Sequence, residues 1–296
     1  MINANIWVIF TNKPESFFNH YLTLPIVKLH TGLNTFTSDV RLRVYRLNLL
    51  TEERVSSMSL VECPYFANIW IRIVIFPPDQ NVNIANSGNA FENIDIRKII
   101  LSERYNIFDS LTIKLFNLPI EKQYIYYVCK YGRVDTLNWL ITNNYKIQYD
   151  LKTILIACDN GHLNVLKWWF NDFELPDNFN FKYFLTIAFS KASKYYNINM
   201  LEWLLEYTKE LNKKFGNKNW FHISNDYLQE ILKDASIGGS LEILNFWKKN
   251  INIKRWNDFI KKIKNILPQR IRYNQEVLDW WSNEGFDQYN LYNWWE

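Results

Sequence analysis

Between residues 121 and 281 one short phrase keeps returning, best preserved as LIACDNGHLNVLKWW (Leu155 to Trp169). Its other copies are YVCKYGRVDTLNWL (Tyr127 to Leu140), IAFSKASKYYNINMLEWL (Ile187 to Leu204), DASIGGSLEILNFW (Asp234 to Trp247) and a worn NQEVLDWW (Asn274 to Trp281). Aligned on Trp139, Trp168, Trp203, Phe246 and Trp280, neighbouring copies lie roughly 29 to 43 residues apart, the spacing of helical repeat arrays. A unit that short cannot bury its apolar face alone, so like units are expected to lean on one another around a shared interior. That organisation predicts a binding scaffold rather than an enzyme.

Each copy reads as a helical hairpin. Leu151, Ile154, Leu155 and Cys158 follow the i, i+3, i+4, i+7 rule of one apolar stripe, and Leu163, Leu166 and Phe170 start a second stripe after a break. Glycine accepts the left-handed backbone that ends a helix, so Gly132, Gly161 and Gly239 are expected between paired helices. Ala157, Ala188 and Ala235 align as small residues that let the two helices approach. The third copy then carries about four more residues between Ala188 and Ile198, an insertion expected in a surface turn. The in-register Trp139, Trp168, Trp203 and Trp280 are expected in the core.

At these residues the chain resembles the ankyrin repeat. Ile156, Ala157, Gly161, His162, Leu163, Val165 and Leu166 match that family's pattern in the second copy, while Lys152, Thr153, Ile154 and Leu155 stand where it has Thr-Pro-Leu-His. The resemblance implies an α-helical, ankyrin-like solenoid of about five hairpins over residues 119–296, the last of them degenerate. It also implies a concave side lined by the residues just before each glycine turn. Here those are Lys130, Tyr131, Asp159 and Asn160, the expected contact residues for a protein partner.

Residues 1–118 lack the phrase and read as a separate β-rich domain, so the fold class is α+β in two domains. IWIRIVIFPPD (Ile69 to Asp79) alternates β-branched and aromatic residues and stops at Pro77 and Pro78, which predicts a strand. Runs at Ile6 to Phe10, Ile26 to His30 and Val40 to Leu47 have the same character, and Asn81 to Asn93 reads as a polar loop. HTGLN (His30 to Asn34), ANIWIRIVIFPPDQNV (Ala67 to Val82) and IRKIILSER (Ile96 to Arg104) resemble the domain that precedes ankyrin arrays in proteins of mimivirus-like giant DNA viruses. That resemblance implies a viral protein acting in a host cell.

Composition narrows the function classes. Hydrophobic residues make up 48% of the chain and aromatics 17%, enough for a sizeable core and incompatible with a disordered polypeptide. The opening MINANIWVIF has no basic leader, and no run of about 18 apolar residues occurs, so a soluble intracellular protein without a membrane span is expected. Cys63, Cys129 and Cys158 show no CxxC spacing. Cys129 and Cys158 share one slot of the repeat, where cysteine serves as a small buried hydrophobe. His162 falls in the helix connection, where a polar cap is expected, and His20, His30 and His222 stand apart from any acid or cysteine at a recognisable spacing. G-x-S-x-G, a phosphate-cradling glycine loop and H-E-x-x-H are all missing. No catalytic residue, metal, cofactor or small-molecule substrate is therefore expected.

Two alternatives stay open. Lys248, Lys249, Lys254, Arg255, Lys261, Lys262, Lys264, Arg270 and Arg272 crowd a window whose only acid is Asp258. Lys254, Arg255, Lys261, Lys262 and Lys264 would carry nucleic-acid or acidic-partner binding. The competing account makes Trp256, Phe259, Ile260, Ile263, Ile266 and Leu267 the buried stripe of an amphipathic helix with the lysines on its wet side. The other alternative is an amino-terminal enzyme domain targeted by the repeats.

Overall fold

A computed structural model describes residues 7–11, 31–46, 70–79, 91–214, 224–263 and 274–286. The α+β expectation holds: an antiparallel sheet in the amino-terminal part is followed by helices to residue 283. The chain divides into two compact units, Met1–Cys129 with Arg133–Asp150, and Lys130–Gly132 with Leu151–Glu296.

The first unit holds β1 (Trp7–Thr11), β2 (Gly32–Arg46), β3 (Trp70–Ile75), β4 (Phe91–Leu101) and β5 (Tyr105–Asn106). β1 pairs with both β2 and β3, and β4 pairs with both β2 and β3, so the ladder returns on itself. Closure removes the open edges that an isolated small sheet would expose. Three expected strands appear, while the run at Ile26 to His30 lies outside the described residues.

β4 replaces the end of the expected polar loop. Its apolar residues change phase: Ile94 and Ile96 point inward, then Ile99 and Leu101 do, all at most 2% exposed. Strict alternation breaks at Arg97, where the register against β2 jumps between Thr35 and Val40. A bulge of this kind hides a strand from a period-two search. With Ile9 and Val74 these four side chains form the sheet's core.

Three helices complete the first unit: α1 (Ser110–Phe116), α2 (Lys122–Lys130) and α3 (Val134–Thr142). Asp109 caps α1 by accepting from Thr112 N–H, and Asn117 ends it in the left-handed region. The buried Tyr124 hydroxyl donates to Ile107 O at 2.7 Å, and Thr136 Oγ1 donates to Phe108 O at 2.7 Å. Two side chains of the first helical copy thus satisfy backbone carbonyls just beyond β5.

The second unit contains α4 (Leu151–Asp159), α5 (Leu163–Lys167, continuing as a π-helix over Trp168–Asp172), α6 (Phe181–Lys194), α7 (Ile198–Lys214), α8 (Asn225–Gly238), α9 (Leu241–Asn250), α10 (Ile253–Ile263) and α11 (Gln275–Asn283). α4 packs on α6 and α6 on α8, so first helices neighbour first helices, and α9 packs on α11, second helix on second. α4 is buried at every position from Thr153 to Cys158, more than the single stripe expected of it. It is covered by α5 on one side and α6 on another.

Backbone bonds at the helix ends set the register of the copies. Ala157 O accepts from His162 N, Ala192 O from Asn197 N, and Ala235 O from Ser240 N, at 2.9, 2.9 and 3.0 Å. Ala192, not Ala188, is therefore the third copy's small residue. The inserted residues do not loop out. Four residues make about one helical turn, so they lengthen α6 along its axis and restore the same face.

That register shifts the tryptophans too. Trp139, Trp203 and Trp280 stay half-buried, and only Trp168, at 1% exposed, sits as deep as expected. The core slot lies one residue on, at Leu140, Trp169, Leu204, Trp247 and Trp281, all at most 1% exposed.

The slot after each alanine holds Cys158, Ser193 and Ser236, all at most 1% exposed. Trp247 Nε1 donates to Ser193 Oγ at 3.0 Å, and Trp281 Nε1 to Ser236 Oγ at 2.9 Å. Each serine passes its own proton to the carbonyl four residues back, Phe189 O or Leu232 O. Every polar atom of the pair is thus satisfied without water. One copy earlier the same two slots hold Cys158 and Leu204, where no indole N–H needs an acceptor.

Ser236→Ala is expected to leave the Trp281 N–H buried without an acceptor and to lower stability by about 1–3 kcal/mol. In a urea-denaturation cycle, Ser193→Ala and Trp247→Phe together should cost less than the sum of the single variants. Strict additivity would show that the bond contributes nothing.

Candidate interaction surface

The surface nearest the helix connections is built by the turns themselves. Gly132, Gly161 and Gly239 have φ of 69°, 73° and 77°, as the caps require. They also admit a neighbour: a Cβ on Gly132 would lie 2.7 Å from His162 Nδ1, and one on Gly161 2.9 Å from Asn197 Nδ2. The cap residue of one copy rests on the glycine of the copy before it.

His162 corrects its expected role. It makes no side-chain cap bond to α5; its Nε2–H donates instead to Lys130 O at 2.9 Å, and Asn164 Nδ2 donates to Gly132 O at 3.3 Å. The imidazole is a bridge between successive connections. Among the described residues no group of three His, Cys, Asp or Glu side chains could hold a metal ion.

Lys130, Tyr131, Asp159 and Asn160 all lie beside these turns. Lys130 Nζ sits 5.9 Å from the Tyr131 ring centroid, and partial burial raises the Tyr131 hydroxyl pKa. Asn160 is exposed, with its amide donating to Ile156 O. Asp159 differs from the other three. Both its carboxylate oxygens accept from Lys191 Nζ on α6, at 2.6 and 2.8 Å. It ties α4 to α6 and offers a partner no uncompensated charge.

The corrected register adds residues that the sequence alignment missed. The counterparts of Asp159 and Asn160 are Lys194 and Tyr195 in the third copy and Ile237 and Gly238 in the fourth. Tyr195, Tyr196 and Ile237 are 48%, 44% and 43% exposed, and Lys194 lies 6.0 Å from the Tyr195 ring centroid. Tyr196 occupies the glycine slot with φ 57°, and its ring reaches over Gly238, where any Cβ would collide with it. The four-residue offset of Ala188 concealed Tyr195 and Tyr196.

The basic window divides. Trp256, Phe259 and Ile260 are buried on α10, as the amphipathic account requires. Lys248 is paired with Glu284, which also accepts from Trp256 Nε1 at 2.9 Å. Lys254 is exposed. Arg255, Lys261 and Lys262 fall on α10, with side chains outside the described set; Lys264, Ile266 and Leu267 lie outside the described residues. No described helix is long and apolar enough to cross a membrane.

No protein-family profile matches this sequence, and no curated protein matches it.

Cys129 and Cys158 are both fully buried in the one slot expected for them. Burial, reinforced by the Asp159 charge, pushes the Cys158 thiol well above its ordinary value. In the native protein at pH 8 neither thiol should be alkylated by iodoacetamide, and both should label fully in guanidinium, as read by peptide mass spectrometry. Fast native labelling of Cys158 would mean that α4 is not enclosed.

Proposed function

We propose that the helical part is an ankyrin-like solenoid that serves as a protein-interaction scaffold. The observation that carries this reading is the repeated bond from a tryptophan of one copy to the serine of the copy before, Trp247 to Ser193 and Trp281 to Ser236. Bonds repeated at equivalent slots, with α4, α6 and α8 in succession, are what a linear stack of like units requires. Stability in such a stack comes from neighbour-to-neighbour contacts, which leaves turn residues free to vary for recognition.

The contact row runs along the pre-turn slots: Lys130, Tyr131, Asn160, Lys194, Tyr195 and Ile237. Its two tyrosines and one asparagine are side chains that protein-binding surfaces favour. Asp159 stays in the row as its structural brace through Lys191. The likeness to ankyrin units, and to the domain that precedes them in giant-virus proteins, supports a viral adaptor acting on a host protein.

The experiment is affinity capture from host-cell lysate with mass spectrometry, using the full chain and the triple variant Lys130→Ala, Tyr131→Ala, Tyr195→Ala. The variant is expected to lose the specific partner by about tenfold or more, since a tyrosine hot spot contributes about 2 kcal/mol or more. Its circular dichroism should match that of the parent. An unchanged set of partners would dispose of this surface.

A further inference from the structure

A second surface of the helical unit, formed by the end of α5, the chain that follows it and α7, has a different chemistry. Phe170 has its ring centroid 4.6 Å from Phe184, 5.1 Å from Tyr207, and 6.0 Å from both Phe179 and Trp203. Trp203 and Tyr207 stack at 5.2 Å with 11° between their planes. Phe184 is fully buried, whereas Phe170, Phe179, Trp203 and Tyr207 keep part of their surface in water. The rings form a ledge with a closed base and an open top.

Between their flanking lysines, the two segments that supply the exposed rings carry only acids. Residues 168–181 carry exposed Asp172, Glu174 and Asp177, and residues 195–208 carry exposed Glu202 and Glu206; exposed Lys167, Lys182, Lys194 and Lys209 flank the two segments. Among the described residues none of these five carboxylates takes part in an ion pair. Glu202 and Glu206 each directly precede a ring, Trp203 or Tyr207, so an acidic ridge runs beside the aromatic one along α7. Glu210 continues the ridge, and its charge adds to burial in pushing the Tyr207 hydroxyl up to about 12.

We propose that this ledge docks a lysine- or arginine-rich segment of a partner protein. A cation over a tryptophan or tyrosine face gains about 0.5–2 kcal/mol, and a guanidinium can stack flat on such a ring while its edge reaches a carboxylate. A purely apolar partner would bring no charge to answer the five carboxylates, and a nucleic acid would meet them with like charge. The occupant that satisfies rings and acids together is a cationic peptide. The proposal uses none of the pre-turn residues, so it stands or falls separately from the adaptor surface.

The test is a fluorescence-anisotropy titration of the full chain into a labelled Arg/Lys/Ser peptide, with a Glu/Ser peptide of equal length as control. The basic peptide should bind, more weakly as salt rises, and the acidic one should not. Glu202→Lys with Glu206→Lys, a change confined to exposed side chains, should weaken binding by about tenfold or more through reversal of two nearby charges. Trp203→Ala should weaken it as well, and Trp203→Phe should retain most of it. Should Trp203→Ala fail to fold, the charge reversal still decides. No binding of the basic peptide, or binding that charge reversal leaves intact, overturns the proposal. So does salt-sensitive self-association abolished by the same reversal, which would assign the ledge to the basic window of a second copy.

Discussion

At two of the buried indoles, Trp247 and Trp281, the N–H finds its acceptor in the adjoining copy, and that bond organises the later part of the helical unit. Tryptophan offers more apolar surface than any other side chain, but its one donor loses a hydrogen bond to water on burial. Here the acceptor comes from the adjoining copy, at Ser193 for Trp247 and at Ser236 for Trp281. The bond fixes rotation and distance between neighbouring helices at once, because the serine is itself held by its bond to the carbonyl four residues back. Two apolar faces could slide past each other. An indole aimed at one oxygen cannot.

The glycine turns impose the second constraint, and the two act in the same direction. A left-handed turn at Gly132, Gly161 or Gly239 is required for the chain to reverse, yet the absence of a Cβ also lets the next copy's cap residue settle onto it. Tyr196 shows what happens when the glycine is replaced. The turn still forms at positive φ, at a cost of about 1–2 kcal/mol, and the tyrosine ring is displaced outward over Gly238. A position that elsewhere serves packing becomes an exposed aromatic in the third copy. Variation within the repeat therefore feeds directly into the surface that the chain presents.

Much of this was legible in the residues. The hairpins, their glycine breaks, the buried cysteine slot and the stripe of α10 follow from periodicity, because a helical face must repeat every three to four residues whatever its neighbours are. What escaped was register. Ala188 and Ala192 are one turn apart and both fully buried, so apolar pattern alone could not choose between them; only the bond from Asn197 N to Ala192 O does. The tryptophans misled for a related reason. Trp139, Trp168, Trp203 and Trp280 recur in line, but recurrence marks equivalent positions, not depth, and the adjacent Leu140, Trp169, Leu204 and Trp281 hold the interior. β4 escaped because a bulge broke its alternation at Arg97, and the pre-turn residues Lys194 and Tyr195 escaped along with the register.

The hydrogen bonds of the helical unit tie its copies together at several points besides the indoles. Inside the helical unit the polar side chains discussed above are committed: the serines to indoles, His162 to Lys130 O, Asp159 to Lys191, and Glu284 to Lys248 and Trp256. Among the described residues, the exposed groups at the turns and those beside the ring ledge differ in chemistry. Tyrosine and lysine line the pre-turn slots, while rings and carboxylates line α7 and the chain after α5. The proposed adaptor surface and the proposed ledge thus lie on one interior that fixes the register of the copies, and they differ in the chemistry each offers.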